Sequence, residues 1–208
     1  MMIVEIIGPP GAGKTSIINE LKKEKDIFVS VSEIKLNSSL FSLVLNFAKS
    51  FIKYFPYFKF WNLKKYKINK YYFFNFIRKI TYINLSKNFS KHLLLDEGPI
   101  YISISSEALV NQTYISSFDY IKNADYLLIN LLVNSENNLS RLSTKQYPTS
   151  WVYLDIEKDI NRIVNDYKTT INNKLNSDFI RECGIYYCEV ENNYSIQQAT
   201  KTILSKLK

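Results

Sequence analysis

Several groups of residues in this chain have types and spacings suited to handling a polyphosphate. The first is Gly8-Pro9-Pro10-Gly11-Ala12-Gly13-Lys14-Thr15, followed by Ser16, which fits G-x-x-x-x-G-K-[ST]. Glycines lack a Cβ, so successive backbone N–H groups can turn inward on an anion, and a helix starting directly afterwards adds the positive end of its dipole. In such a loop Lys14 reaches the β- and γ-phosphates of ATP and the Thr15 hydroxyl ligates Mg²⁺. The second group is Leu93-Leu94-Leu95-Asp96-Glu97, an apolar run ending in acids. It reads as a buried parallel strand whose tip, Asp96, stands at the ligand edge and holds Mg²⁺ opposite Thr15. Glu97 beside it is placed to orient or deprotonate an acceptor hydroxyl. Glu33, closing another apolar run, is a second carboxylate at the same edge, and Arg141 and Lys145, four residues apart, would share a helix face to clamp phosphate oxygens.

These groups need a frame of alternating strands and helices. Residues 2–7 read as a strand entering the loop and residues 15–25 as the helix leaving it. Residues 27–32 read as a second strand by their aromatic and β-branched content. Residues 37–55 read as a helix ended by Pro56, with Phe41, Val44, Leu45, Ala48, Ile52 and Phe55 as its core stripe. Residues 69–89 read as another, carrying Phe73, Phe76, Ile77, Ile80 and Ile83. Helices are expected over 100–114, 116–122, 135–143 and 155–175, strands over 126–133 and 184–190. A final helix is capped by Ser195, with Gln198 three residues on. Cys188 is expected in the core of the last strand and Cys183 in a loop, both reduced.

The chain has 208 residues, 46% of them hydrophobic, which suits one folded domain over residues 1–208. Its formal charge of +8 is unevenly spread. Residues 34–95 contain no Asp or Glu but twelve Lys or Arg, so the remainder holds 15 basic and 19 acidic residues. That segment should attract an anionic partner. Residues 37–91 are therefore read as a helical insert or acceptor lid, with Lys59, Lys64 and Lys65 drawing in an anion. Contact with nucleic acid or an anionic membrane surface is the lesser alternative. No leader-like or membrane-spanning run is evident, so a cytoplasmic location is expected.

With the phosphate loop after the first strand and an acid after the third, the chain resembles the P-loop nucleoside and nucleotide kinase superfamily, thymidylate kinase and the deoxynucleoside kinases most closely, as a divergent member. The resemblance implies a three-layer α/β fold with a five-stranded parallel sheet in the order 2-3-1-4-5. It implies that Gly8 to Thr15 bind ATP, that Arg141 and Lys145 match an Arg pair of the lid, that Asn192 lies in the loop near the adenine, and that Glu33 falls at the general-base position. Asp96-Glu97-Gly98 departs from the family's acid followed by Arg, which widens the acceptor beyond a nucleoside. The expected activity is Mg²⁺-dependent transfer of the γ-phosphoryl group of ATP to a small acceptor. The rivals are an ATPase using Glu97 and a nucleotide-dependent binding module. A GTP switch is disfavoured because no N-K-x-D follows the fourth strand, which ends Leu131-Leu132-Val133-Asn134-Ser135.

Overall fold

The computed structural model describes residues 1–9, 11–24, 26–57, 66–110, 124–133, 177–193 and 195–207, with Thr169, Ile171, Asn173 and Leu175. Strand β1 (Met2–Ile7) is central because Ile3, Val4, Ile6 and Ile7 are buried on both of its faces. It pairs in parallel with β3 (His92–Asp96) on one side and β4 (Asp125–Leu132) on the other; β2 (Phe28–Ser30) and β5 (Ile185–Glu191) complete the order β2-β3-β1-β4-β5. This is the expected five-stranded parallel sheet. The helices on one face are α1 (Lys14–Leu21) and the C-terminal α7 (Ile196–Ser205), whose Ile17, Ile18, Ala199 and Ile203 pack on Val4, Ile6, Leu94 and Ile129. On the other face α4 (Tyr66–Ser86) lays Phe73, Phe76, Ile77, Ile80 and Ile83 over Ile3, Ile7, Val29 and Leu95, beside α5 (Pro99–Val110).

Several local readings change. The second strand stops at Ser30 rather than at residue 32, because the Ser30 hydroxyl accepts from the Glu33 amide (3.3 Å) while the Glu33 carboxylate accepts from the Ser30 amide (2.7 Å). This reciprocal capping box starts α2 (Val31–Asn37) and overrides the β preference of Val31. In α3 (Leu40–Tyr54), capped by Ser39, the side facing the protein carries Leu43, Phe47, Phe51 and Tyr54, with Phe51 edge-on to Phe73 and Tyr54 edge-on to Phe76. The stripe Phe41, Val44, Leu45, Ala48, Ile52 and Phe55, expected in the core, faces outward. A helix apolar on both sides leaves its orientation to the neighbouring helix, here α4. Cys183 is a buried residue ending α6 (Ser177–Cys183), a helix the sequence did not announce, and Cys188 on β5 is half-buried. The helices expected over 116–122 and 135–143, and nearly all of 155–175, lie outside the described residues.

Candidate active site

The carboxyl ends of β1 and β3 lie side by side, with Ile6 opposite Asp96. The phosphate loop therefore begins two residues from the strand partner of the candidate metal ligand. At Gly8 (φ 154) a Cβ would be crowded, standing 3.1 Å from the Leu131 Cβ and carbonyl oxygen and 3.2 Å from the Ala12 Cβ. Gly13 adopts a left-handed conformation (φ 82) as the N-cap of α1, so the loop turns sharply into the helix. Thr15 and Ser16 present exposed side chains in the first turn. Lys14 is only 9% exposed, and its ammonium donates to the carbonyls of Gly8 (3.0 Å) and Pro9 (3.2 Å) beneath the loop. It also stands 5.0 Å from the Tyr101 ring centroid, over the ring. Asn192 is buried and donates from Nδ2 to the Ala12 carbonyl (2.7 Å), tying the turn after β5 to the phosphate loop. Pro10, Arg141, Lys145, Lys59, Lys64 and Lys65 fall outside the described residues.

After β3 the backbone takes an uncommon path. Glu97 has φ 50, a left-handed conformation for a side chain with a Cβ. As a residue it is exposed. Even so, crowding by protein strips enough water from the carboxyl to raise its pKa; Asp96 adds to that, while Lys14 and Lys79 pull the other way. Lys79 on α4 donates to the Asp96 carbonyl, and burial lowers its own pKa against the pull of Asp96, Glu97 and Glu5. Asp96 is half-buried. The structure thus places Lys14, Asp96 and Glu97 at one sheet edge, whereas the Glu33 carboxylate is engaged in the cap of α2.

One charged residue beneath this site was passed over in the sequence. Glu5 is fully buried within β1, and its carboxylate accepts from the amides of Tyr101 (2.7 Å) and Ile100 (3.3 Å) and from the Tyr126 hydroxyl. It thereby caps the first turn of α5 and fixes the helix that carries Tyr101 over Lys14. The available signal was an acid inside a strand otherwise apolar on both faces, since such a group persists only when it is hydrogen-bonded. Burial pushes its pKa up to about 7 from 4.5, against the lowering pull of its hydrogen bonds and of Lys79. The folded state thus holds this proton more tightly than the unfolded chain. Glu5's contribution to stability is present in full below pH 4.5 and is lost as pH rises through about 7. The difference amounts to about 3 kcal/mol. Subtracting the pH profile of unfolding free energy of Glu5→Gln from that of the wild type should leave a fall across this window; parallel profiles would refute the assignment.

No family model matches the chain, and no curated protein sequence matches it. Among solved structures, deoxyadenosine kinase from M. mycoides with products dCMP and a flexible dCDP bound aligns over 100% of this chain and 98% of its own, at 17% identity and a TM-score of 0.59. The same enzyme with bound dATP aligns over 100% and 99%, at 16% identity and a TM-score of 0.58. Likeness at these identities concerns architecture, and together with the strand order and the phosphate loop it leads to one conclusion: the chain has the P-loop kinase fold of the deoxynucleoside-kinase type.

Proposed function

We propose that the chain is an ATP-dependent phosphotransferase, passing the γ-phosphoryl group to a hydroxyl or phosphate of a small, anionic acceptor. The observation that carries this reading is the meeting of the phosphate loop, with Lys14 beneath it, and the Asp96-Glu97 turn at one sheet edge. Phosphoryl transfer asks for positioning and neutralisation of spreading negative charge rather than covalent chemistry. The amides of Gly8 to Gly13 would cradle the polyphosphate, Lys14 would exchange its two carbonyl partners for phosphate oxygens, and Arg141 and Lys145 would close on the far side. Thr15 and Asp96 offer one hydroxyl and one carboxylate, neither of them buried. Such a sparse oxygen donor set suits Mg²⁺, which keeps water and phosphate oxygens as its other ligands. When bound, that ion would supply positive charge to the phosphates.

Between the two candidate bases, Glu97 is the better placed. A carboxyl raised from its ordinary pKa, with Lys14 and Lys79 near it, is suited to take a proton from an acceptor hydroxyl, while the Glu33 carboxylate is held by the Ser30 amide. Because α4 is a core helix, the acceptor-enclosing part of residues 37–91 would be α3 and the connection after it. The bound deoxynucleotides of the structural neighbours favour a nucleoside or nucleotide within the acceptor class to be screened.

The test is release of ADP from Mg-ATP in the presence of nucleosides, nucleotides and sugar phosphates. Turnover should depend on one acceptor class; equally fast release without any acceptor would replace the kinase with the ATPase reading, which Glu97 beside Lys14 also permits. With the acceptor found, Glu97→Gln should lower kcat about 10²- to 10⁴-fold and Glu33→Gln less than tenfold. The reverse order would move the base to Glu33.

A further inference from the structure

Among the described residues, the most exposed apolar side chains cluster on α3 and the adjoining end of α2. Phe41 is 75% exposed, Ile52 74% and Val44 59%. Leu45, Ala48 and Phe55 continue the same line along the helix. Leu43, Phe47, Phe51 and Tyr54 already pack α3 onto the protein, and Phe55 meets the Phe51 ring (centroids 5.2 Å apart), whereas Phe41, Val44, Leu45 and Ile52 are left largely to solvent. Exposed Lys49 and Lys53 lie along one flank. Beside the stripe, a cavity of about 380 Å³ lined by Leu43, Val44, Phe47 and Tyr82 has Lys35 and Arg78 in its wall. No carboxylate occurs anywhere in residues 34–95, so every charge brought to this surface by that segment is positive.

We infer that this face docks on an anionic lipid bilayer, with α3 lying in the interfacial plane, its Phe41, Val44, Leu45 and Ile52 at the acyl boundary and Lys35, Lys49 and Lys53 against the headgroups. A helix that combines an outward apolar stripe with flanking cations binds such an interface through both terms at once. The charge decides against the other occupants. A second copy seated on the same face would bring identical lysines together with no acid from residues 34–95 to meet them. Nucleic acid would satisfy the lysines but gain nothing from Val44, Leu45 and Ile52, which can neither stack on bases nor hydrogen-bond to them. Among the described residues no helix is long and apolar enough to cross a membrane, which agrees with a helix that lies on the surface. The inference is independent of the kinase reading.

Sedimentation of the full chain with vesicles tests it. Vesicles of phosphatidylcholine mixed with phosphatidylglycerol should retain the protein at least about tenfold better than phosphatidylcholine alone at low salt, and several-fold less well at high salt. Phe41→Ser with Ile52→Ser should reduce retention at least about tenfold while leaving the far-UV circular dichroism and cooperative melting intact. Lys49→Glu with Lys53→Glu should reduce it too. If the double serine variant does not fold, Ala48→Glu places a charge on the same outward line and should have the same effect. Retention untouched by these α3 variants would overturn the inference. So would absence of retention, preference for RNA over vesicles, or a concentration-dependent doubling of mass that the serine variant abolishes.

Discussion

Lys14→Ala is expected to lower kcat/KM for phosphoryl transfer by about 10³-fold, the scale of removing one preorganised charge from a transferring phosphoryl group. The reason lies in how the side chain is held. Its ammonium is buried under the loop and bonded to the Gly8 and Pro9 carbonyls, with the Tyr101 ring beside it. The cation is thus already desolvated and aimed where a polyphosphate would enter, and little reorganisation separates the empty from the loaded loop. Alanine would leave the loop backbone with its glycine turns but without the charge proposed to compensate the γ-phosphate. The rise in melting temperature on adding Mg-ATP should shrink in parallel, because that stabilisation follows affinity directly. Unaltered turnover in Lys14→Ala would remove the loop from the chemistry altogether.

Gly98→Ala should have the largest effect on the fold. An added Cβ would stand 2.4 Å from the Glu5 Cδ and 2.5 Å from its Oε2. That carboxylate cannot step aside, since the Ile100 and Tyr101 amides and the Tyr126 hydroxyl hold it in a fully buried position. The first turn of α5 must move instead, taking Tyr101 away from Lys14. A loss of about 3 kcal/mol of stability or more is expected, at the upper end of overpacking penalties, together with a fall in kcat. Glu5→Ala in the same chain removes the colliding atoms. The double variant should therefore be less destabilised than the sum of the single ones by about 1–3 kcal/mol, read from urea midpoints. Simple additivity would show that Gly98 and Glu5 do not share this space.

The candidate site divides along these lines. The place of the phosphate loop between β1 and α1 was legible because its motif is contiguous in sequence, and the place of Asp96 because a run of leucines ending in an acid marks the tip of a buried strand. Arg141 and Lys145 rest on their spacing and on the family resemblance, and both lie outside the described residues. Ser30-Val31-Ser32-Glu33 carries a capping-box spacing that the sequence reading passed over in favour of a strand through residue 32; the paired hydrogen bonds of the cap set the boundary at Ser30.

The sequence by itself determined the alternation of strands and helices, the place of the phosphate loop and, through the resemblance it supports, the order of the sheet. Those features depend on short-range periodicity and contiguous motifs. Only the tertiary structure decided the role of Glu5, whose partners lie about a hundred residues away on α5 and β4, and the direction in which α3 turns its two apolar sides. In both cases local pattern is degenerate. An acid in a strand, or an apolar stripe on a helix, acquires its meaning from whichever distant group the fold brings against it.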